Sequence, residues 1–226
     1  MIEAVAFDLD DTLTLERDYV RSGFRAVADY LQGRVAAECD WYGALWRNFE
    51  SGERGQAFDR VLREAALAPA PALVAELVRV YREHRPTISL FPDVAAALER
   101  LPLPRARLGV ITDGVVISQR TKFEALGLAP YFGHVIYTDG WGLEFRKPHP
   151  RGFLEFERLA AVPPERCAYF GDNPAKDFTT PHARGWLTVR VWRPGGLNEA
   201  CPSAPGEVDR TVRDFAALSN VLGLEK

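Results

Sequence analysis

A short apolar run near the start of the chain ends in a cluster of acidic residues. The run extends from Ile2 to Phe7, and Asp8, Asp10 and Asp11 follow it directly. A bounded apolar run of this length is typical of a central parallel strand with both faces covered. Ligands of an open α/β sheet bind beyond the carboxyl ends of its strands. The sequence therefore predicts reactive groups at the end of the first strand.

Asp8 and Asp10 lie two residues apart, so on extended backbone their side chains share a face and converge. Two carboxylates at close range repel each other unless a cation or a shared proton compensates their charge. An isolated pair of this kind is more often an acidic turn that caps the next helix. The choice between these interpretations depends on the other strand ends.

The hydrophobic pattern changes after residue 14. Residues 15–88 carry apolar positions at helical spacing and predict four amphipathic helices. An insertion of this size after a first strand indicates a helical-bundle cap domain. Strands that alternate with helices resume in residues 89–226, which indicates right-handed crossovers and a parallel sheet. The predicted fold is therefore α/β, with a Rossmann-like core domain formed by residues 1–14 and 89–226.

The pattern within residues 89–226 also predicts individual strands, a loop and a helix. A Gly- and Pro-rich stretch over residues 195–207 predicts a surface loop, and residues 212–222 predict a closing helix. The strands expected after the insertion are 108–111, 134–137, 167–170 and 187–192.

Thr112 ends the second predicted strand, and Asp113 and Gly114 follow it. A hydroxyl and free backbone amides at a strand end can hold phosphoryl oxygens. Taken alone, Thr112 is more often an ordinary turn residue. The three residues are candidate phosphate ligands.

Two further segments add charged candidates. Lys147 precedes a proline, which favours extended backbone, and can bring a cation to the carboxylates. Asp172 follows an apolar strand, and Asp177 lies five residues later, a spacing that can bring a second pair of acids to a hard cation. Mg²⁺ prefers a few carboxylates together with water and substrate phosphate. Taken singly, Asp172 could equally be a helix cap, and a lysine before proline is usually solvated.

In this order the four segments resemble the motifs of the haloacid dehalogenase-like superfamily, and specifically its magnesium-dependent phosphatase branch. The resemblance covers the whole chain and places the family's helical cap at residues 15–88. Asp11 stands where many relatives have glycine, and we interpret it as a solvated or capping side chain. The residues that match the family's motifs are Asp8 with Asp10, Thr112, Lys147, and Asp172 with Asp177.

The resemblance implies a mechanism. Asp8 would be the nucleophile that forms an aspartyl phosphate, and Asp10 would protonate the leaving oxygen and then activate water. Thr112 and Lys147 would neutralise and orient the phosphoryl oxygens. The Mg²⁺ ligands that the resemblance implies are Asp8, the backbone carbonyl of Asp10, and Asp172, with Asp177 nearby.

Four alternatives remain open. A haloacid dehalogenase uses the same nucleophile but does not usually carry an acid at the position of Asp10. A phosphomutase keeps both acids. A phosphorylation-regulated receiver module places its phosphorylated aspartate on the third strand and lacks a helical insertion. A non-catalytic interaction protein would not need the intact set of acids. We expect a phosphatase acting on a small phosphorylated metabolite.

Composition limits the partners and the location. Acidic residues number 31 and basic residues 28, a net charge of -3, so no positive field favours nucleic acid or an anionic membrane. Cys39, Cys167 and Cys201 are odd in number and scattered, which suits a reducing compartment and does not indicate a zinc site. No leader sequence and no apolar run of about 18 residues is evident. We expect a cytoplasmic monomer or homodimer.

Overall fold

The computed structural model describes residues 1–35, 39–52, 55–203 and 206–224, and these contain one six-stranded sheet. Its order is β3-β2-β1-β4-β5-β6, and every neighbouring pair is parallel. The predicted Rossmann-like parallel sheet is therefore confirmed. The strands are β1 (Ala4–Phe7), β2 (Leu108–Thr112), β3 (His134–Tyr137), β4 (Cys167–Gly171), β5 (Leu187–Val191) and β6 (Arg210–Val212).

Helices connect the strands and form most of the insertion. Two of the predicted helix ends carry glycine in the left-handed region, Gly52 after the second helix (φ 84°) and Gly127 after the sixth (φ 64°). The helices are α1 (Glu16–Gln32), α2 (Trp41–Glu50), α3 (Ala57–Glu64), α4 (Pro71–Glu83), α5 (Val94–Arg100), α6 (Val116–Ala125), α7 (Arg151–Ala160), α8 (Thr179–Ala183) and α9 (Leu218–Leu222).

The central strand β1 contributes to two separate hydrophobic cores. Val5 and Phe7 belong to one core, whereas Ala4 and Ala6 belong to the other. Because successive side chains of a strand point to opposite faces, this alternation means that both faces of the sheet are covered. All four residues are fully buried. The end of β1 is thus held in place from both sides of the sheet.

The chain divides into two compact units, one formed by Met1–Arg17 with Ile88–Lys226 and the other by Asp18–Thr87. The second unit is helical and rich in aromatic contacts. Tyr81 packs against Phe24 and Phe58, with ring centroids 5.7 and 5.9 Å apart. That this unit is a separate cap domain stays a prediction.

The end of the chain differs from the prediction. The helix expected over residues 212–222 is shorter, Leu218–Leu222, and the strand Arg210–Val212 precedes it. This strand lies at the edge of the sheet and is largely exposed, so it carries no apolar run that a sequence pattern could detect. The predicted surface loop 195–207 includes residues 204–205, which lie outside the described residues.

Two further expectations concern the cysteines and the membrane. Cys39, Cys167 and Cys201 form no disulfide bond with one another. Among the described residues, no helix is both long enough and apolar enough to span a bilayer.

Packing of α7 on the sheet generates a test of the fold. A Cβ atom added at Gly109 of β2 would lie 2.5 Å from Cε2 of Phe156. We expect Gly109→Ala to lower the free energy of unfolding by about 1–3 kcal/mol, because the buried ring must move. Urea denaturation measures the change. Gly140→Ala is the matched control, since its nearest neighbour is Val116 Cγ2 at 3.8 Å. Equal stability of the two variants would contradict this packing.

Candidate active site

Three adjacent strand ends bring polar side chains together. Asp8 follows β1, Thr112 ends β2 and Asp172 follows β4, and β1 lies between the other two strands. The Asp8 amide donates to the Phe170 carbonyl at 2.7 Å, which continues the ladder between β1 and β4 by one residue. The carboxyl ends of parallel strands thus place these residues at one edge of the sheet, as the sequence predicts.

Behind this edge lies a buried cluster of three carboxylates. Asp8, Asp172 and Asp177 each offer an oxygen, and these oxygens lie within 4.8 Å of one another. Lys147 Nζ lies 2.9 Å from Asp8 Oδ1 and 2.8 Å from Asp177 Oδ1. It also donates to the Tyr169 hydroxyl at 2.7 Å. One buried ammonium group therefore contacts two of the three buried carboxylates.

The charge of this cluster is not balanced. Burial raises the pKa of Asp172 to about 9, and the charges of Asp177 and Asp8 act in the same direction. Burial also raises the pKa of Asp8 to about 6, although Lys147 opposes the shift. For Lys147, burial disfavours the ammonium form, but the charges of Asp177 and Asp8 outweigh it and raise the pKa. The cluster therefore needs protons or a further cation to be stable.

Asp177 and Asp172 are each oriented by a neighbour. The Asn173 amide donates to Asp177 Oδ2 at 2.9 Å. A Cβ atom at Gly171 would lie 2.5 Å from this oxygen, so the glycine permits the close approach of Asp177 to the strand. Asn198 Nδ2 donates to Asp172 Oδ2 at 2.8 Å. Asn198 lies in the predicted surface loop and was not a sequence candidate, because nothing in a Gly- and Pro-rich stretch indicates where it folds.

Asp10 stands apart from the buried cluster. Its side chain is 18% exposed, and it lines a pocket of about 180 Å³ together with Asp8, Asp172 and Lys176. Lys122 Nζ lies 2.6 Å from Asp10 Oδ1. The pocket is therefore bordered by an accessible acid as well as by the carboxylates of the cluster.

Asp113 links three loops through its side chain. Its Oδ1 accepts hydrogen bonds from Thr138 Oγ1 at 2.7 Å and from the Lys147 amide at 3.1 Å. Its Oδ2 accepts from Lys176 Nζ at 2.9 Å. Burial opposes ionisation of Asp113, but Lys147 and Lys176 outweigh it and lower the pKa. The Asp113 side chain thus acts as a structural anion and fixes both lysines near the pocket.

The Gly114 amide, expected to be free, is hydrogen-bonded to a side chain. It donates to Asp139 Oδ1 at 3.1 Å, and Arg146 pairs with both oxygens of the same carboxylate at 2.6 Å. The amide therefore already has an acceptor within the protein, and that Gly114 binds a phosphoryl oxygen stays a prediction. The acceptor comes from the connection after β3, which sequence spacing does not relate to Gly114.

Asp11 has a structural role. It is buried and adopts a left-handed backbone conformation, with φ 52°. Its Oδ1 accepts from the Glu16 amide at the start of α1 at 2.9 Å, and its Oδ2 accepts from the Leu197 amide at 2.7 Å. The capping interpretation is confirmed, whereas the solvated one is wrong.

A model of the haloacid dehalogenase-like hydrolase family matches residues 2–181. The chain belongs to this family. The match begins in the first strand and ends beyond Asp177, so it includes every motif position named from the sequence. The resemblance stated from the motifs is thereby confirmed.

Individual relatives share most of the chain. The glyceraldehyde 3-phosphate phosphatase of Methanopyrus kandleri is 32% identical over 200 residues, which cover 85% of each chain. The phosphoserine phosphatase of Thermus thermophilus is 34% identical over 171 residues, which cover 71% of this chain and 67% of the relative. A crystal structure of 2-haloacid dehalogenase from Pseudomonas syringae pv. Tomato DC3000 is similar with a TM-score of 0.66, at 26% identity and 99% coverage of both chains.

The raised pKa of Asp172 predicts how stability of the metal-free protein depends on pH. The pKa rises from 3.8, its value in an unfolded chain, to about 9 in the folded protein. Between these values the folded state binds more protons than the unfolded state, so the free energy of unfolding falls as the pH rises. Urea denaturation with chelator across this range measures the slope. Asp172→Asn should flatten it. A stability of the wild-type protein that rises with pH in this range would contradict the electrostatics of the cluster.

Proposed function

We propose that this chain is a phosphatase that hydrolyses a small-molecule phosphomonoester through an aspartyl phosphate on Asp8. The observation that carries the proposal is the position of Asp10, an accessible acid that lines the same pocket as Asp8. An alcohol leaves a phosphate ester readily only when its oxygen is protonated, and Asp10 supplies an acid for that step. Two of the relatives described above are phosphatases, which supports the same reaction.

The proposed reaction has two steps. In the first, a carboxylate oxygen of Asp8 forms a bond to phosphorus while the bond from phosphorus to the ester oxygen breaks, and Asp10 gives its proton to the departing alcohol. In the second, Asp10 takes a proton from water, the water oxygen bonds to phosphorus, and the bond to Asp8 breaks. Covalent catalysis replaces one difficult step with two easier ones. Inorganic phosphate is released and both acids regain their starting state.

Positive charge for the phosphoryl oxygens comes from this chain's lysines. Lys147 contacts Asp8 directly, and Lys176 lines the pocket. Burial of Lys176 and the charge of Lys147 disfavour its ammonium form, but nearby carboxylates, led by Asp8, raise its pKa. The Thr112 hydroxyl supplies a hydrogen-bond donor at the end of β2. Phosphoryl transfer depends mainly on such positioning and charge neutralisation.

The carboxylate cluster fits a divalent cation. Its donors are all oxygens, and the raised pKa values of Asp8 and Asp172 indicate an excess of negative charge. We propose Mg²⁺, held by Asp8, Asp172 and the backbone carbonyl of Asp10, with Asp177 nearby. When bound, the ion neutralises charge on the phosphoryl group. Lys147 keeps the oxygens of Asp8 and Asp177 oriented for this role.

The substrate class is a small phosphorylated metabolite. According to their names, the two relatives act on glyceraldehyde 3-phosphate and on phosphoserine. Both of these substrates are three-carbon phosphate esters. A short phosphorylated metabolite is therefore the first class to test. The cytoplasmic location and the monomeric or homodimeric state stay predictions.

A phosphomutase is the second candidate, because the two acids serve that reaction equally well. The difference is the fate of the phosphoryl group, which passes to water in one case and to another hydroxyl group of the substrate in the other. Quantifying inorganic phosphate against phosphorylated products decides between them.

Removal of metal tests the proposed cofactor. We expect turnover of glyceraldehyde 3-phosphate, phosphoserine or phosphoglycolate to stop in EDTA and to return with added Mg²⁺, because the buried carboxylates repel each other without it. A malachite-green assay measures released phosphate. Asp172→Asn should require a higher Mg²⁺ concentration for half-maximal activity. Full activity in metal-free protein would refute the metal requirement.

Substitution of the two acids tests their separate roles. We expect Asp8→Asn to abolish turnover and phosphoenzyme formation, and Asp10→Asn to lower kcat by about 10²–10⁴-fold. Rapid quench with ³²P-labelled substrate measures both quantities. Arg120→Met, an exposed position, is the control for substitution as such. A phosphoenzyme in Asp8→Asn protein would show that another residue is the nucleophile.

A further inference from the structure

Helix α6 buries two polar side chains that the sequence did not single out. Gln119 is 2% exposed and Lys122 is 3% exposed. They lie three residues apart, so they occupy the same face of the helix. Burial of an ammonium group is strongly unfavourable unless a carboxylate pairs with it. The partners of these residues therefore explain why a helix of the core carries them.

Both residues contact the carboxylate of Asp10. Lys122 Nζ donates to Asp10 Oδ1 at 2.6 Å, and Gln119 Nε2 donates to Asp10 Oδ2 at 2.9 Å. Each carboxylate oxygen is thus held by a different donor, which fixes the rotation of the group. The contacts come from the buried side of Asp10, while its partly exposed side lines the pocket.

Gln119 also connects Asp10 to Thr112. Its Nε2 atom donates to Thr112 Oγ1 at 2.5 Å. Because a carboxylate only accepts, the amide nitrogen must face Asp10, and its second hydrogen is available for the hydroxyl. A second neighbour of Thr112 Oγ1 is the Asp113 carbonyl at 3.5 Å, which is long for a hydroxyl hydrogen bond. The hydroxyl hydrogen can therefore be donated to a phosphoryl oxygen.

We infer that Gln119 and Lys122 are positioning residues, which together hold the Asp10 carboxylate and the Thr112 hydroxyl in the arrangement that leaving-group protonation requires. This inference rests on the proposed function, since it assumes that Asp10 acts on the leaving oxygen. Thr112 would then bind the phosphoryl group and Asp10 would protonate the ester oxygen. Both side chains are held by the amide group of Gln119. A small displacement of either group would lower the rate of the first step.

The test compares two leaving groups. The p-nitrophenolate ion leaves without a proton, whereas a primary alcohol needs one. We expect Lys122→Met to lower kcat/KM for glyceraldehyde 3-phosphate, or another alkyl phosphate that the wild-type chain hydrolyses, by about 10²-fold. The value for p-nitrophenyl phosphate should change much less. Arg120→Met removes an exposed cation from the same helix and should affect neither substrate.

A double substitution distinguishes action through Asp10 from a separate effect. If Lys122 acts by orienting Asp10, Lys122→Met has no further effect on the alkyl ester in Asp10→Asn protein, because the group that it positions has lost its function. Gln119→Leu introduces no charge and provides a second variant with the same expected pattern, should Lys122→Met fail to fold. Thermal denaturation monitors folding of each variant.

The outcomes separate the inference from the proposed function. Equal losses of kcat/KM for both esters, or full additivity with Asp10→Asn, would overturn the positioning role and leave the phosphatase intact. A wild-type chain that hydrolyses neither ester with Mg²⁺ present would overturn the proposed function, and the inference with it. A loss of kcat/KM confined to the alkyl ester, together with no further loss in Asp10→Asn protein, supports the positioning role.

Discussion

The contact of Lys147 with Asp8 and Asp177 is the interaction on which the arrangement of the site depends. An ammonium group with almost no exposed surface holds one oxygen of each carboxylate within 3 Å. Removing it would leave buried carboxylates without their cation, which costs several kcal/mol, on the order of 3–5. The backbone of the same residue is fixed by Asp113, and that carboxylate also holds Lys176. The charged side chains that follow β1, β2, β3 and β4 therefore hold one another in position.

The acids of the site fall into two environments. Asp8, Asp172 and Asp177 are buried together, with one lysine against two of them, whereas Asp10 is partly exposed and paired with its own lysine. Groups with such different surroundings suit different tasks, because the buried acids can share a bound cation, whereas the accessible Asp10 can reach the leaving oxygen. The fold achieves this separation over two residues of sequence, since β1 ends just before Asp8 and Asp10 lies in the connection that follows.

Sequence reasoning recovered the parts of the structure that local pattern encodes. The apolar runs predicted the central strands. The aspartates, Thr112 and Lys147, which follow these runs in a fixed order, predicted which residues lie at the strand ends. It missed Lys122, Gln119 and Asn198, because their importance arises from contacts with residues 26 to 112 positions away. It also missed Arg210–Val212, where pairing with β5 makes a strand that has no apolar signal. Contacts between residues far apart in the sequence do not produce a periodic hydrophobic pattern, so a sequence pattern cannot detect them.

The central place of β1 in the sheet has a consequence for biosynthesis. Its two neighbours pair through Leu108 and Cys167, so β1 leaves the ribosome long before either partner exists. Contacts of such high sequence separation slow folding, because a long loop must close before they form. An apolar strand with both edges unpaired is also a template for association with other chains. Folding of this chain during translation is therefore expected to depend on keeping that first strand apart from others until the fourth has been made.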